Sequence, residues 1–195
     1  FEIPSKWKGK KILIHFGAVD YEAEVFINEK KIGLHKGGYL PFSFDITDAV
    51  TNGKNELIVR VYDPTDKGGQ PRGKQDSIQK GIMYTPTSGI WQTVWLEPVS
   101  ETHIEDIKIV PDIDKKEVEV TVLSNTKNAK VLVELKSGKF QGKTNSPIKI
   151  KIPNPKLWSP QNPYLYDINV SILGNDGKPT DKVNSYFAGT PKKAT

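Results

Sequence analysis

The sequence predicts an all-β chain built as two successive β-sandwiches, and three observations carry that expectation. Glu117-Val118-Glu119-Val120-Thr121-Val122, Ile148-Lys149-Ile150-Lys151-Ile152 and Asp167-Ile168-Asn169-Val170-Ser171-Ile172 alternate apolar and polar residues with period two. Such strands lay one face on a core and show the other to water. Nowhere do ten or more residues keep a helical period, so the crossover helices that a parallel sheet or a (β/α)8 barrel requires are lacking. The 14 prolines and 16 glycines among 195 residues supply the frequent turns of a short-strand architecture.

The elements follow in order. Phe1-Glu2-Ile3-Pro4 reads as the middle of a strand, so the native N-terminus is expected upstream. Val25-Phe26-Ile27 and Lys31-Ile32-Gly33-Leu34 flank the polar Asn28-Glu29-Lys30, a hairpin signature. Gly37-Gly38 and Pro41 bend the chain into the alternating Phe42-Ser43-Phe44, which ends at Asp45. Leu57-Ile58-Val59-Arg60-Val61-Tyr62 reads as a buried strand with one polar position. The nineteen residues from Asp63 to Gly81 carry no strand pattern, a length that in a compact domain signals function or disorder. Ile90 to Trp95 reads as one strand with Trp91, Thr93 and Trp95 on a shared face. That face is expected to pack in a core or domain interface, and would serve as a sugar-stacking shelf only if solvent reaches it. Pro98-Val99-Ser100-Glu101 marks a boundary. Beyond it, about seven short strands at roughly 8–12-residue spacing have the pattern of an immunoglobulin-like sandwich.

The stretch from Phe16 to Thr47, together with Ser88-Gly89-Ile90-Trp91-Gln92-Thr93-Val94-Trp95-Leu96-Glu97, resembles the N-terminal sugar-binding domain of family 2 glycoside hydrolases, which include β-galactosidases, β-glucuronidases and β-mannosidases. Pro155-Lys156-Leu157-Trp158-Ser159-Pro160-Gln161-Asn162-Pro163-Tyr164-Leu165-Tyr166 is similar to the segment before the closing strands of that family's immunoglobulin-like domain. Its prolines hold the chain extended. Leu157, Trp158, Tyr164 and Leu165 are read as an apolar plug on the sandwich end, with a sugar platform as the alternative. The resemblance implies a jelly-roll-like, galactose-binding-type sandwich over 1–99, an immunoglobulin-like sandwich over 100–188, and a tail or linker over 189–195. In the family a Tyr-Phe-Gly-x-Arg passage leads into a catalytic barrel. Here Tyr186-Phe187-Ala188 agrees in part and the residues from Gly189 depart.

Composition narrows the function classes. The net charge is +5, yet 28 basic residues are interleaved with 23 acidic ones, unlike the basic stripe of a nucleic-acid binder. The absence of cysteine rules out disulfides and thiolate metal sites. It fits a cytoplasmic protein or a bacterial envelope protein, and a periplasmic or secreted location is favoured. No apolar run approaches the roughly 20 residues of a membrane-spanning helix. His15, His35 and His103 lack metal-site spacing. Asp112-Ile113-Asp114 lacks the glycine and distal glutamate of a calcium loop. No G-x-S-x-G elbow occurs, and Gly68-Gly69 with Gly73 has no following helix to make a phosphate loop. No cofactor and no metal are expected.

Retaining glycosidases use two carboxyl groups about 5–5.5 Å apart. In the family both are glutamates on the barrel, the acid/base following an asparagine. Asn28-Glu29 and Asn55-Glu56 imitate that pair, but both fall in turns, where nothing would desolvate the acid. No catalytic residue is therefore expected in this chain. The loop after Tyr62 suits sugar recognition better. Asp63, Arg72, Lys74 and Gln75, with Tyr84 and Trp91 as apolar faces, offer donors, acceptors and rings to a pyranose. The family places a loop of this domain at the barrel's open end. Pro71-Arg72-Gly73-Lys74-Gln75 resembles that region, whereas Met83-Tyr84-Thr85-Pro86-Thr87 stand where some relatives place an aspartate. A solvated or interdomain loop is the alternative.

Three functions remain open at this point: the non-catalytic N-terminal part of a retaining β-glycosidase, a self-sufficient carbohydrate-binding module, and a β-sandwich scaffold or adhesion protein. The expected partners are a β-linked carbohydrate and the catalytic barrel of the same parent chain, without nucleic acid. A homo-oligomer is an expectation carried over from the family.

Overall fold

The structure is a computed structural model and describes residues 1–189. Among these, strands dominate and the helical content is one 3₁₀ turn at Ser5–Trp7. Among the described residues no helix is long and apolar enough to cross a membrane. The chain divides after Val99 into two compact units. The tail expected over 189–195 falls, except for Gly189, outside the described residues.

The first unit contains β1 (Lys11–Phe16), β2 (Val19–Asp20), β3 (Glu22–Ile27), β4 (Lys30–Lys36), β5 (Phe42–Asp45), β6 (Leu57–Tyr62), β7 (Gly89–Ile90) and β8 (Val94–Val99). They form antiparallel sheets in the orders β5-β1-β8, β4-β3-β6 and β2-β7. Alternate residues of β1 (Ile12, Ile14, Phe16) and of β3 (Ala23, Val25, Ile27) are buried in one cluster, joined by Phe42, Phe44, Val59 and Leu96. Period-two patterning on two sheets thus produces the jelly-roll-like sandwich. The β3–β4 hairpin turns through Asn28 (φ 48°) and Glu29 (φ 67°), the left-handed pair that matches strand twist and that asparagine tolerates.

Three expectations about elements are corrected. β6 is not a buried strand: Ile58, Arg60 and Tyr62 lie on an exposed face while Leu57, Val59 and Val61 turn inward. The N-terminal residues form no strand. Glu2 makes a single bridge to Lys54, and the Phe1 amine donates to the Asn55 carbonyl at 2.8 Å. The segment from Ile90 to Trp95 is interrupted, because the chain leaves β2 at Ile90 and joins β1 at Val94. Trp91 and Trp95 therefore do not share a strand face, and neither is a core residue, at 53% and 43% exposure. Trp95 stacks instead on His15, with ring centroids 4.8 Å apart.

The second unit contains β9 (Ile104–Asp112), β10 (Glu117–Ser124), β11 (Lys130–Leu135), β12 (Gly138–Lys143), β13 (Pro147–Lys151), β14 (Tyr166–Leu173) and β15 (Pro179–Phe187). Its sheets run β13-β10-β9 and β12-β11-β14-β15. The inward residues Val118, Val120, Val122, Val131, Val133, Ile148, Ile150, Ile168 and Val170 make the core, each contributing roughly 1.5–3 kcal/mol by burial. This immunoglobulin-like sandwich has no disulfide, the chain containing no cysteine. The plug reaches that core through Tyr166, which stacks on Phe187 at 5.0 Å and meets Tyr164 in a T-shaped contact at 4.9 Å. Leu157 and Leu165 stay partly exposed.

Candidate functional site

In the first unit, three distant segments converge on one hollow. Antiparallel pairing of β2 with β7 sets Val19 opposite Ile90 and Asp20 opposite Gly89. Val19 is buried, so the alternation turns Asp20 the other way. The turn after β4 then passes so close that a Cβ on Gly38 would lie 2.7 Å from Asp20 Oδ1, so any larger residue there would displace the carboxylate. The Gly38 carbonyl accepts from Trp91 Nε1 at 2.7 Å, which fixes the indole. The Tyr39 ring meets Trp91 edge-on at 6.1 Å. From the long loop, Gln75 accepts from the Thr87 N–H and hydrogen-bonds Asp20 with its side chain. Asp20, Tyr39, Gln75 and Trp91, with the chain from Thr87 to Ile90, enclose a hollow of about 400 Å³.

Electrostatics single out Asp20. Burial, and secondarily the negative charge of Asp63, hold its carboxyl above the ordinary aspartate range, while the Gln75 hydrogen bond works against them. A partly desolvated carboxylate beside two half-exposed rings can accept hydroxyl donors from a ligand whose apolar face lies on the aromatics.

The loop between β6 and β7 is ordered by its own polar residues. Asp63 closes its ends, accepting from Ser88 Oγ at 2.6 Å and from the Thr65 N–H at 2.7 Å. Arg72 bridges Asp76 at 3.3 Å and Asp66 at 3.9 Å, and Ser77 Oγ donates to Asp66 at 2.6 Å. Of the six residues singled out for sugar contact, Gln75 and Trp91 line the hollow. Asp63 is not part of the lining but its charge acts on Asp20. Arg72 is engaged inside the loop. Lys74 and Tyr84 stand together away from the lining, the Lys74 ammonium 6.0 Å from the Tyr84 ring centre. Sequence reasoning missed Asp20 and Tyr39. The signal available for them was a carboxylate ending one short strand and an aromatic residue directly after Gly37-Gly38.

Two carboxylate pairs stand out among the described residues: Asp66 and Asp76 interact with each other and share Arg72 as their counter-charge, while Asp20 feels the charge of Asp63, and both oxygens of Asp63 accept hydrogen bonds that close the loop. That leaves it ill-placed as a nucleophile. Glu29 and Glu56 are exposed. Among the described residues no group of three acidic, histidine or cysteine side chains is placed to hold a metal ion. A larger cavity of about 530 Å³ in the second unit borders Tyr164 and Tyr166. Its ring faces are already covered by Lys156 and Phe187, which makes it the poorer ligand site.

Residues 1–97 match the model of the glycosyl hydrolases family 2 sugar binding domain, and residues 102–188 match the model named glycosyl hydrolases family 2. The chain belongs to glycosyl hydrolases family 2. Its family 2 relatives include a β-galactosidase of Thermoanaerobacter pseudethanolicus, 34% identical over 90% of this chain and 25% of that protein. A β-glucuronidase of Bacteroides fragilis is 30% identical over 98% of this chain and 31% of its own length. Among solved structures, a Lactobacillus rhamnosus β-glucuronidase superimposes with a TM-score of 0.74 at 26% identity, covering 97% of this chain and 34% of that one. The chain thus spans about a quarter to a third of the length of these family 2 relatives.

Proposed function

We propose that this chain is the non-catalytic N-terminal part of a retaining β-glycosidase, a jelly-roll-like sugar-binding sandwich over 1–99 followed by an immunoglobulin-like sandwich over 100–188. The hollow between Asp20 and Trp91 carries the reading. It offers a carboxylate acceptor and two aromatic faces, while the neighbouring carboxylate is engaged in closing a loop. Such a site recognises a sugar without cleaving it. The acid/base and nucleophile, about 5–5.5 Å apart, belong to a barrel in the same protein, and this part walls the pocket that they serve. The intact protein hydrolyses a terminal β-linked sugar with retention, through a covalent glycosyl-enzyme intermediate. The share of the relatives' length that the chain spans supports this division of labour.

The test is direct. Purified chain incubated with aryl β-glycosides is expected to release no phenol above buffer, whereas titration with galactose changes Trp91 fluorescence. Hydrolysis by the chain alone overturns the reading. The reading frame past Thr195 separates it from a self-sufficient binding module: about 250 further residues of alternating strand and helix support a barrel, and an early stop contradicts it.

A further inference from the structure

We infer that the hollow selects by charge, accepting an uncharged hexopyranoside and rejecting a hexuronide, with Asp20 as the specificity-determining residue. This rests on the reading that the hollow holds a sugar, and goes further by stating which sugars it takes. Among the described residues the charged lining is one carboxylate, Asp20, and no lysine, arginine or histidine borders the hollow. Asp63 adds a second negative charge close enough to be felt by Asp20.

The cations of the surrounding segments, Lys67 and Lys80 of the long loop included, are not among the residues that line the hollow. Arg72 is paired with Asp66 and Asp76, Lys36 with Glu22, and Lys74 stands over the Tyr84 ring. A uronate entering here would set a third carboxylate against two others without a counter-charge, and the partly desolvated site strengthens that repulsion. A neutral pyranose brings only hydroxyl groups, which can donate to the Asp20 carboxylate. Gln75 holds Asp20 in place through a side-chain hydrogen bond, its own carbonyl being occupied by the Thr87 N–H. Tyr39 and Trp91 supply apolar faces that discriminate little between the two sugar classes. The hollow's volume of about 400 Å³ lies in the range of small-molecule sites.

The experiment compares two ligands that differ only at C6, methyl β-glucoside and methyl β-glucuronide, by NMR titration of the chain read at the Trp91 indole N–H and the Gln75 side-chain amide. The glucuronide is expected to bind at least about tenfold more weakly, a ratio equal to about 1.4 kcal/mol. Added salt should narrow that gap through screening. Asp20→Asn, which keeps the shape and the acceptor for Gln75, should close it to within about threefold. Equal or tighter glucuronide binding, with the glucoside also bound, overturns charge selection and leaves the sugar hollow standing. A gap that salt and Asp20→Asn both leave unchanged removes Asp20 as its cause. Failure of both sugars to move Trp91 overturns the inference together with the reading beneath it. The salt series needs no variant, so the question is decided even if Asp20→Asn folds poorly.

Discussion

Asn28 and Asn55, the asparagines of the two Asn-Glu pairs that imitate a glycosidase acid/base, are hydrogen-bonded to each other, Asn28 Nδ2 donating to Asn55 Oδ1 over 2.8 Å. Asn55 is buried. Its carbonyl oxygen also accepts from the Thr51 N–H, and its amide donates to the carbonyls of Thr51 and Gly53. Asn28 also donates to the Ala49 carbonyl and accepts from the Glu56 N–H. The two pairs thus fasten the β3–β4 turn to the approach of β6, while both glutamates point to solvent.

Asn55→Ala should therefore lower the unfolding free energy by about 1–3 kcal/mol, since it breaks a part-buried hydrogen-bond network centred on a buried side chain. A double-mutant cycle with Asn28→Ala should return a coupling of about 1 kcal/mol. Glu29→Gln and Glu56→Gln should stay within about 0.5 kcal/mol of the parent chain. Urea denaturation measures all four.

The strands were largely legible because period-two patterning reports burial directly. Val118, Val120 and Val122, or Ile148 and Ile150, face inward as their alternation predicts. The misreadings have definite physical causes. Leu57, Val59 and Val61 alternate with exposed Ile58 and Arg60, and an apolar run does not say which of its faces meets water. The candidate site was legible only in part. Gln75 and Trp91 lie in or near the loop that composition singles out. Asp20 and Tyr39 become neighbours of Trp91 only through the β2–β7 pairing and the close pass of Gly38, and no local pattern encodes that long-range register.

Gly33 sits where β4 crosses the Phe44 ring, and an added Cβ would lie 2.3 Å from its Cε1. Gly33→Ala should destabilise the chain by about 1–3 kcal/mol through overpacking. Thermal unfolding should show a lowered Tm, and Phe44→Leu in the same chain should restore part of the loss.

The pH dependence of stability should carry Asp20's signature. Its carboxyl is held above the ordinary range by burial and by Asp63, so the folded state binds this proton more tightly than the unfolded chain does. Its contribution is fully present below the unfolded aspartate value, about 3.9, and is lost as pH rises through the folded value. Asp20→Asn should raise Tm at neutral pH and lose that advantage on acidification. A Tm difference of constant size between pH 3 and pH 7 would contradict this.

Arg72 orders the loop between β6 and β7 through Asp66 and Asp76. Because these pairs are part-exposed, Arg72→Ala should cost at most about 1 kcal/mol of global stability. It should nevertheless speed proteolytic cleavage within residues 63–88, as local opening becomes easier. Limited proteolysis with mass mapping of the cut sites measures this.

The account's central claim is that the first sandwich receives a sugar in the hollow beside Asp20 and Trp91. A crystal structure of the chain soaked in methyl β-galactoside tests it most directly. The account predicts a pyranose ring against Trp91 and Tyr39, with a hydroxyl donating to the Asp20 carboxylate. A sugar bound elsewhere, or a hollow holding only solvent at saturating ligand, would contradict it.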